Sequence, residues 1–233
     1  MYFISRVRRW LYDKKICRLH LRHRSQNHAA YSDIDDILNR FRSVGGLKHE
    51  YQPYKLFHLK KLLEKFQPSS ILELGSGSST AIFAAYVKER FGASLSSLDE
   101  SEAWLSNSKA LAGIDLNDAR FSMRNCTALV GVFCNLPCVG YGLVVDKPFD
   151  FVFVDGPSLR INGISCKEAI NDDVFRLADI FPPRIIVVDG RYATVRALES
   201  HLSSSYNIQR SSLMARMPCE DYNYFSIFNR INK

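Results

Sequence analysis

From residue 70 onward the chain alternates short, unbroken apolar runs with stretches whose apolar residues recur at helical spacing. Ile71, Leu72 and Leu74 make the first run. It breaks at Gly75-Ser76-Gly77, and a helical stretch follows from Ser79 to Phe91, stopped by Gly92. The second run, residues 93–98, ends in Asp99-Glu100, and a third falls at residues 120–123, ahead of Arg124-Asn125-Cys126-Thr127. The fourth, residues 149–154, is rich in aromatic and β-branched residues and leads into Asp155-Gly156-Pro157-Ser158. The fifth, residues 184–188, leads into Asp189-Gly190-Arg191. Runs of this length bounded by turn residues read as buried strands, and strands alternating with helices predict a parallel sheet. Two further strands are expected at 206–211 and 224–228, joined by a loop over 214–221. The expected fold class is α/β, a doubly wound and mostly parallel sheet with helices on both faces, preceded by a helical extension.

Two helices come before the sheet. Ser32-Asp33-Ile34-Asp35 opens the first with an acidic capping arrangement, Ile34, Ile37, Leu38 and Phe41 form its apolar face, and Gly45-Gly46 stop it. The second starts near Pro53 and ends before Pro68, with Leu56, Leu59, Leu63 and Phe66 on one face and Phe57 and Leu62 widening it. Packing on the sheet accounts for both. A lid over a ligand pocket is the functional alternative, with His49, Glu50, Tyr51 and Tyr54 in or beside the linking loop. The expected division is residues 1–30 as a basic extension, 31–68 as a lid or packing segment, and 69–233 as the main domain.

The junction after the first strand carries the chemistry. Gly75 and Gly77 lack a Cβ, so the backbone turns tightly and approaches a ligand closely, and the N–H groups of the next helix face the turn. Such turns at the carboxyl ends of strands are where open α/β sheets bind nucleotide-type cofactors. A dinucleotide fingerprint would need a third glycine where Thr80 stands, which disfavours an NAD-dependent oxidoreductase. Asp99 follows Gly77 at about the distance at which nucleoside-binding folds place a ribose-binding carboxylate, roughly 20 residues. Capping of the helix that opens near Ser101 is the bland alternative for Asp99.

The pattern Glu73-x-Gly75-x-Gly77-x-Ser79/Thr80 resembles the first motif of class I S-adenosylmethionine-dependent methyltransferases. Residues 97–105 resemble the second motif of bacterial O-methyltransferase-like sequences, and Phe-Val-Asp155-Gly156-Pro157 resembles the fourth motif of a group of methyltransferases and methyltransferase-like proteins, many associated with sugars and surface polysaccharides. The resemblance covers about residue 50 to the end. It implies a Rossmann-like domain whose last two strands are an antiparallel pair completing a seven-stranded sheet. It also implies S-adenosyl-L-methionine as cofactor, held by Glu73, Gly75, Ser76, Gly77, Ser79, Thr80, Asp99, Glu100, Asn125 and Asp155. Asn125 would reach the adenine, a position where family members often carry Asp.

A hydroxyl acceptor needs a base. Asp155 is the first candidate and Asp189 the second, with Arg191 as anchor for an acidic acceptor. Catechol-type relatives hold a divalent metal with acids after the fourth strand and an Asp-Asn pair after the fifth. Here Asp189-Gly190 stands at the latter place, and Ser158 stands where their catalytic lysine lies. This departure counts against a metal and no metal ligand is assigned, but metal dependence stays open. No Asn/Asp-Pro-Pro-Tyr follows the fourth strand, which counts against amino-directed nucleic-acid and glutamine methyltransferases.

Charge changes the picture only at the start of the chain. The formal net charge is +7, and residues 1–24 hold all of it: Arg6, Arg8, Arg9, Lys14, Lys15, Arg18, Arg22 and Arg24 against Asp13. Phe3, Val7, Trp10, Leu11, Cys17 and Leu21 recur through this segment near helical spacing. A basic amphipathic helix of this kind suits an anionic membrane surface, RNA, an acidic partner, or plain packing on its own domain. No apolar run spans a bilayer and no signal-peptide centre is evident, so a cytoplasmic protein, peripheral at a membrane if the segment binds one, is expected. The six cysteines show no Cys-x-x-Cys pair, which disfavours zinc. The expected function is methylation of a hydroxyl on a small molecule, sugar or polysaccharide precursor. An RNA methyltransferase using the basic segment, and a non-catalytic membrane-associated protein with the same fold, stay open.

Overall fold

The computed structural model describes residues 17, 18, 20–45, 52–211 and 223–231. His49, Glu50, Tyr51, most of the basic segment and the loop at 214–221 lie outside the described residues. A 3-10 turn over His28–Tyr31 leads into α1 (Ser32–Ser43), and α2 spans Gln52–Phe66. β1 (Ser70–Leu74), α3 (Ser78–Glu89), β2 (Ser94–Asp99), α4 (Glu102–Leu111) and β3 (Phe121–Asn125) follow. After two hairpin strands, β4 (Leu129–Phe133) and β5 (Leu136–Gly140), comes β6 (Phe151–Val154). A short second hairpin, β7 (Arg160–Ile161) and β8 (Ile164–Ser165), precedes α5 (Asp172–Ile180). β9 (Ile185–Val188), α6 (Tyr192–Leu202), β10 (Tyr206–Gln209) and β11 (Ser226–Arg230) complete the chain.

Seven strands form one sheet in the order β10-β11-β9-β6-β1-β2-β3. All neighbours are parallel except β11, which runs antiparallel to β9 and β10, so the expected doubly wound sheet with an inverted closing strand is present. The pleat sends alternate residues to opposite faces. Phe151, Phe153, Ile185 and Val187 join the cluster under α1, α2 and α3, whereas Val152, Val154, Ile186 and Val188 join the one under α5 and α6. Each central strand is buried on both sides, which is why these strands read as unbroken apolar runs. The switch in connection direction falls between β1 and β6, and their carboxyl ends open the crevice where such sheets bind ligands.

Several expectations shift. α1 begins at the expected serine, but no side chain caps it; Asp33 and Asp35 in its first turn favour the helix dipole instead. Its stop holds, with Gly45 at φ +90°. α3 ends at Glu89, and Phe91 stands outside it, fully exposed. The β4–β5 hairpin has no counterpart in the sequence reading. Its turn is Cys134-Asn135, both at positive φ, the geometry that two-residue hairpins require. Near the N-terminus residues 20–26 are helical, and Leu21, assigned to an apolar face, is 65 % exposed. The packed side carries His20, stacked on Tyr54 at 4.1 Å, and His23, which bonds Tyr31 Oη at 2.8 Å. Among the described residues no helix is long and apolar enough to cross a membrane.

Candidate functional site

The glycine turn is braced from below and from the side. Glu73 sits on the α3 face of β1, 0 % exposed, and its carboxylate accepts from Ser79 Oγ (2.6 Å), Thr80 Oγ1 (2.8 Å) and Ser97 Oγ (2.7 Å). Burial pushes this carboxyl up to about 7 against the pull of the three hydroxyls. Glu73, Ser79 and Thr80 thus tie β1, α3 and β2 together beneath the turn. Thr80 Oγ1 also accepts from Gly77 N at 2.9 Å, closing the start of α3.

Asp99, at the end of β2, grips the turn from the side. Its Oδ2 accepts from Ser76 N (2.8 Å) and Ser76 Oγ (2.9 Å), and its Oδ1 accepts from Ser101 N (2.8 Å). Burial raises its pKa while these donors lower it, and the net direction is up. Trp104 Nε1 donates to Ser76 O at 2.8 Å, fixing the loop's outer side. Asn125 is exposed at the end of β3, its Nδ2 bonding Asp99 O at 3.1 Å. Glu100 accepts from Tyr141 Oη and from Ser158 N, both at 2.8 Å, and so joins β2 to the segment after β5 and to the loop after β6. The structure brings Gly75, Ser76, Gly77, Asp99, Glu100, Asn125 and Asp155 to one end of the sheet, as their positions at strand ends require. It places Glu73, Ser79 and Thr80 under that surface.

Asp155 and Asp189 emerge side by side because Val154 pairs with Val188 in the register of β6 and β9. A lysine that the sequence reading did not single out lies between them. Lys55 Nζ is 2.8 Å from Asp155 Oδ2 and 2.5 Å from Asp189 Oδ2. Burial opposes the Lys55 charge, but the two carboxylates overcome it and raise its pKa. Burial pushes Asp189 up, and Lys55 draws it back. Asp155 is more open, with a side chain 36 % exposed. The signal for Lys55 was present: with Leu59, Leu62 and Phe66 it forms an i, i+4, i+7 stripe, so the lysine falls on the core-facing side of α2.

Arg191 is buried at the start of α6. Its Nη2 donates to Asp155 O (2.7 Å) and to Pro157 O, and it holds the loop that contains the cis Gly156–Pro157 peptide. Burial lowers the pKa of its guanidinium against the nearby carboxylates, and its Nε and Nη1 have no partner among the described residues. Asn171 Nδ2 secures the same loop through Gly156 O at 2.9 Å. Among the described residues no group of three or more His, Cys, Asp or Glu could hold a metal ion.

No family model matches this chain, and no curated protein matches it in sequence. Solved structures do share its fold. An O-methyltransferase from Bacillus cereus, in complex with SAH, has a TM-score of 0.52 at 18 % identity over 85 % of this chain and 91 % of its own. A protein from Staphylococcus aureus assigned as a caffeoyl-CoA O-methyltransferase gives 0.55 at 14 % identity, covering 92 % of this chain and 99 % of its own. One from Klebsiella pneumoniae, assigned as an O-methyltransferase, gives 0.53 at 16 % identity over 85 % and 89 %. With its strand order, inverted closing strand and glycine turn at the switch point, the chain has the fold of the class I S-adenosylmethionine-dependent methyltransferases.

Proposed function

We propose that the protein is an S-adenosylmethionine-dependent methyltransferase acting on a hydroxyl of a small molecule or sugar. The observation that carries this reading is the convergence at the switch point of a glycine turn on β1 with acids ending β2, β6 and β9. When bound, the cofactor supplies a methyl group on cationic sulfur; the acceptor oxygen bonds that carbon as the carbon–sulfur bond breaks, its electron pair staying on sulfur. A positively charged ligand suits a rim of carboxylates, and backbone at Gly75 and Gly77 leaves room for close approach.

In this reading Ser76 and Gly77 face the methionine part, Asp99 the ribose and Asn125 the adenine. Asp155, whose side chain is partly open and whose Oδ2 accepts from Lys55, takes the acceptor's proton. Asp189 and Lys55 hold Asp155 in place, and Arg191 fixes the loop behind it. Positioning of this kind supplies most of the barrier reduction for a transfer between two bound reactants, on the order of 7 kcal/mol or more. Glu73, Ser79 and Thr80 support the turn without touching the ligand.

One observation favours a second reading, a protein that keeps the fold without turnover: Asp99 and Glu100 already serve donors of the protein itself. Calorimetric titration with S-adenosylmethionine and, in parallel, NAD decides between the readings, with Asp99→Ala as control. Methyl-donor binding alone, weakened by the substitution, supports the enzyme and opens an acceptor screen by S-adenosylhomocysteine release. A folded protein that binds neither moves the non-catalytic reading to first place.

A further inference from the structure

The charge arrangement around Lys55 defines a cation position. Asp155 and Asp189 end neighbouring parallel strands in register, and two carboxylates so placed repel unless a cation lies between them. The chain supplies that cation itself, from α2, 100 residues before Asp155 in sequence. The lysine stem runs through the core beside Phe153, with Nζ 5.8 Å from the ring centroid, and the residue as a whole is 7 % exposed. An ammonium has three donors. Nζ donates to Asp155 Oδ2 at 2.8 Å and lies 2.5 Å from Asp189 Oδ2, and the Tyr224 phenol also acts on its charge. Arg191, the other buried cation nearby, spends its hydrogen bonds on the main-chain oxygens of Asp155 and Pro157, so the carboxylate oxygens are left to Lys55.

We propose that Lys55 is the resident cation of this site. Its ammonium fills the position between Asp155 and Asp189 that a divalent metal would otherwise take. It holds the two carboxylates in place and turns its remaining N–H to the acceptor oxygen, so methyl transfer proceeds without added metal. The contact with an acceptor oxygen and the metal-free transfer rest on the methyltransferase reading; the filled cation position stands on the geometry alone. A divalent ion bridging two carboxylates activates a hydroxyl as a Lewis acid. A single ammonium offers less charge and leaves proton removal to Asp155.

The test is Mn2+ uptake by the full chain, followed by electron paramagnetic resonance, with S-adenosylhomocysteine affinity measured by calorimetry alongside. Wild-type protein is expected to take up no Mn2+ at this site at millimolar metal, and to bind S-adenosylhomocysteine equally well in EDTA and in Mg2+. Lys55→Ala empties the position and is expected to gain Mn2+ binding, lost again when Asp189→Asn is added. A lysine that merely packs would not convert into a metal site on removal. Mn2+ bound by wild type and abolished by Asp189→Asn overturns the proposal, as does a folded Lys55→Ala variant that takes up none. Should Lys55→Ala fail to fold, the wild-type titration with its Asp189→Asn control decides. Absence of S-adenosylhomocysteine binding alongside the expected Mn2+ results would sink the methyltransferase reading and leave the cation assignment standing.

Discussion

Gly75 and Gly156 meet backbone to backbone across the carboxyl ends of β1 and β6. A Cβ on Gly75 would lie 2.5 Å from Gly156 N, and one on Gly156 would lie 2.6 Å from Gly75 Cα and 2.3 Å from Tyr141 Oη. Gly156 N also donates to Leu74 O at 2.5 Å, so the two turns form one unit at the floor of the crevice. Glycine is required at Gly75 for a second reason, its φ of +95°.

Gly75→Ala therefore has no room, and backbone atoms cannot move aside as a flexible side chain would. We expect a loss of about 2–4 kcal/mol, since a left-handed backbone strain and a steric clash act together. Urea unfolding measures it. A loss below about 0.5 kcal/mol would show that the turns are not in contact.

Glu73 gives the stability a defined pH dependence. Its folded pKa is raised from 4.5 to about 7, so the folded state keeps a proton that the unfolded state releases first. By linkage, stability then falls as pH rises through the window from about 4.5 to about 7, and the loss is complete above it. Glu73→Gln lacks this titration. The stability difference between wild type and variant should shift against wild type by roughly 3 kcal/mol across the window, at about 1.4 kcal/mol per unit. Parallel stability–pH curves for the two proteins would exclude the assignment.

Asp99 holds Ser76 by two hydrogen bonds, one of them to the main chain. Hydrogen bonds to a charged group are worth about 1.5–3 kcal/mol, so Asp99→Ala should weaken S-adenosylhomocysteine binding roughly 10- to 100-fold. Ser76→Ala removes only the hydroxyl contact and should cost less than tenfold. Calorimetry orders the two; equal affinities in all three proteins would remove Asp99 from the site.

Lys55→Met keeps the length of the stem and deletes the charge. Breaking a buried pair by removing one partner costs about 3–5 kcal/mol, because the remaining charge is left uncompensated. Denaturant midpoints for wild type, Lys55→Met and the double variant Lys55→Met/Asp189→Asn test this: the second substitution should recover part of the loss. Strict additivity of the two losses would mean that the side chains do not interact.

Arg191 braces the Asp155–Pro157 loop from behind. Arg191→Met should destabilise by about 2–3 kcal/mol through the lost charged hydrogen bonds. In the proposed enzyme it should lower kcat far more than it raises the donor Kd, because the loop carries the base and not the glycine turn. A variant with intact turnover would assign Arg191 to stability alone.

Much of this arrangement could be read along the chain. Residues 151–154 and 185–188 are apolar on both faces because helices cover both sides of the sheet, and that leaves an uninterrupted sequence signal. The acids that end β2, β6 and β9 stand directly after those runs, so their common end of the sheet followed from parallel topology. The β4–β5 hairpin was less legible. Leu129, Val130 and Val132 are exposed, so the alternation that marks a half-buried strand is missing there.

The strands, the glycine turn and the end of the sheet where the acids gather are written in the order of residues, because each depends on local periodicity and on neighbours in the chain. Tertiary packing settles which acids face outward. Glu73 turns under the turn to three hydroxyls, while Asp155 stays partly open. It alone decided that Lys55 joins Asp155 and Asp189, since a contact between a helix and strand ends far away in the chain leaves no local pattern beyond one lysine on an apolar face. Charge pairing is a property of distance in space, and sequence spacing records that distance only within a single element.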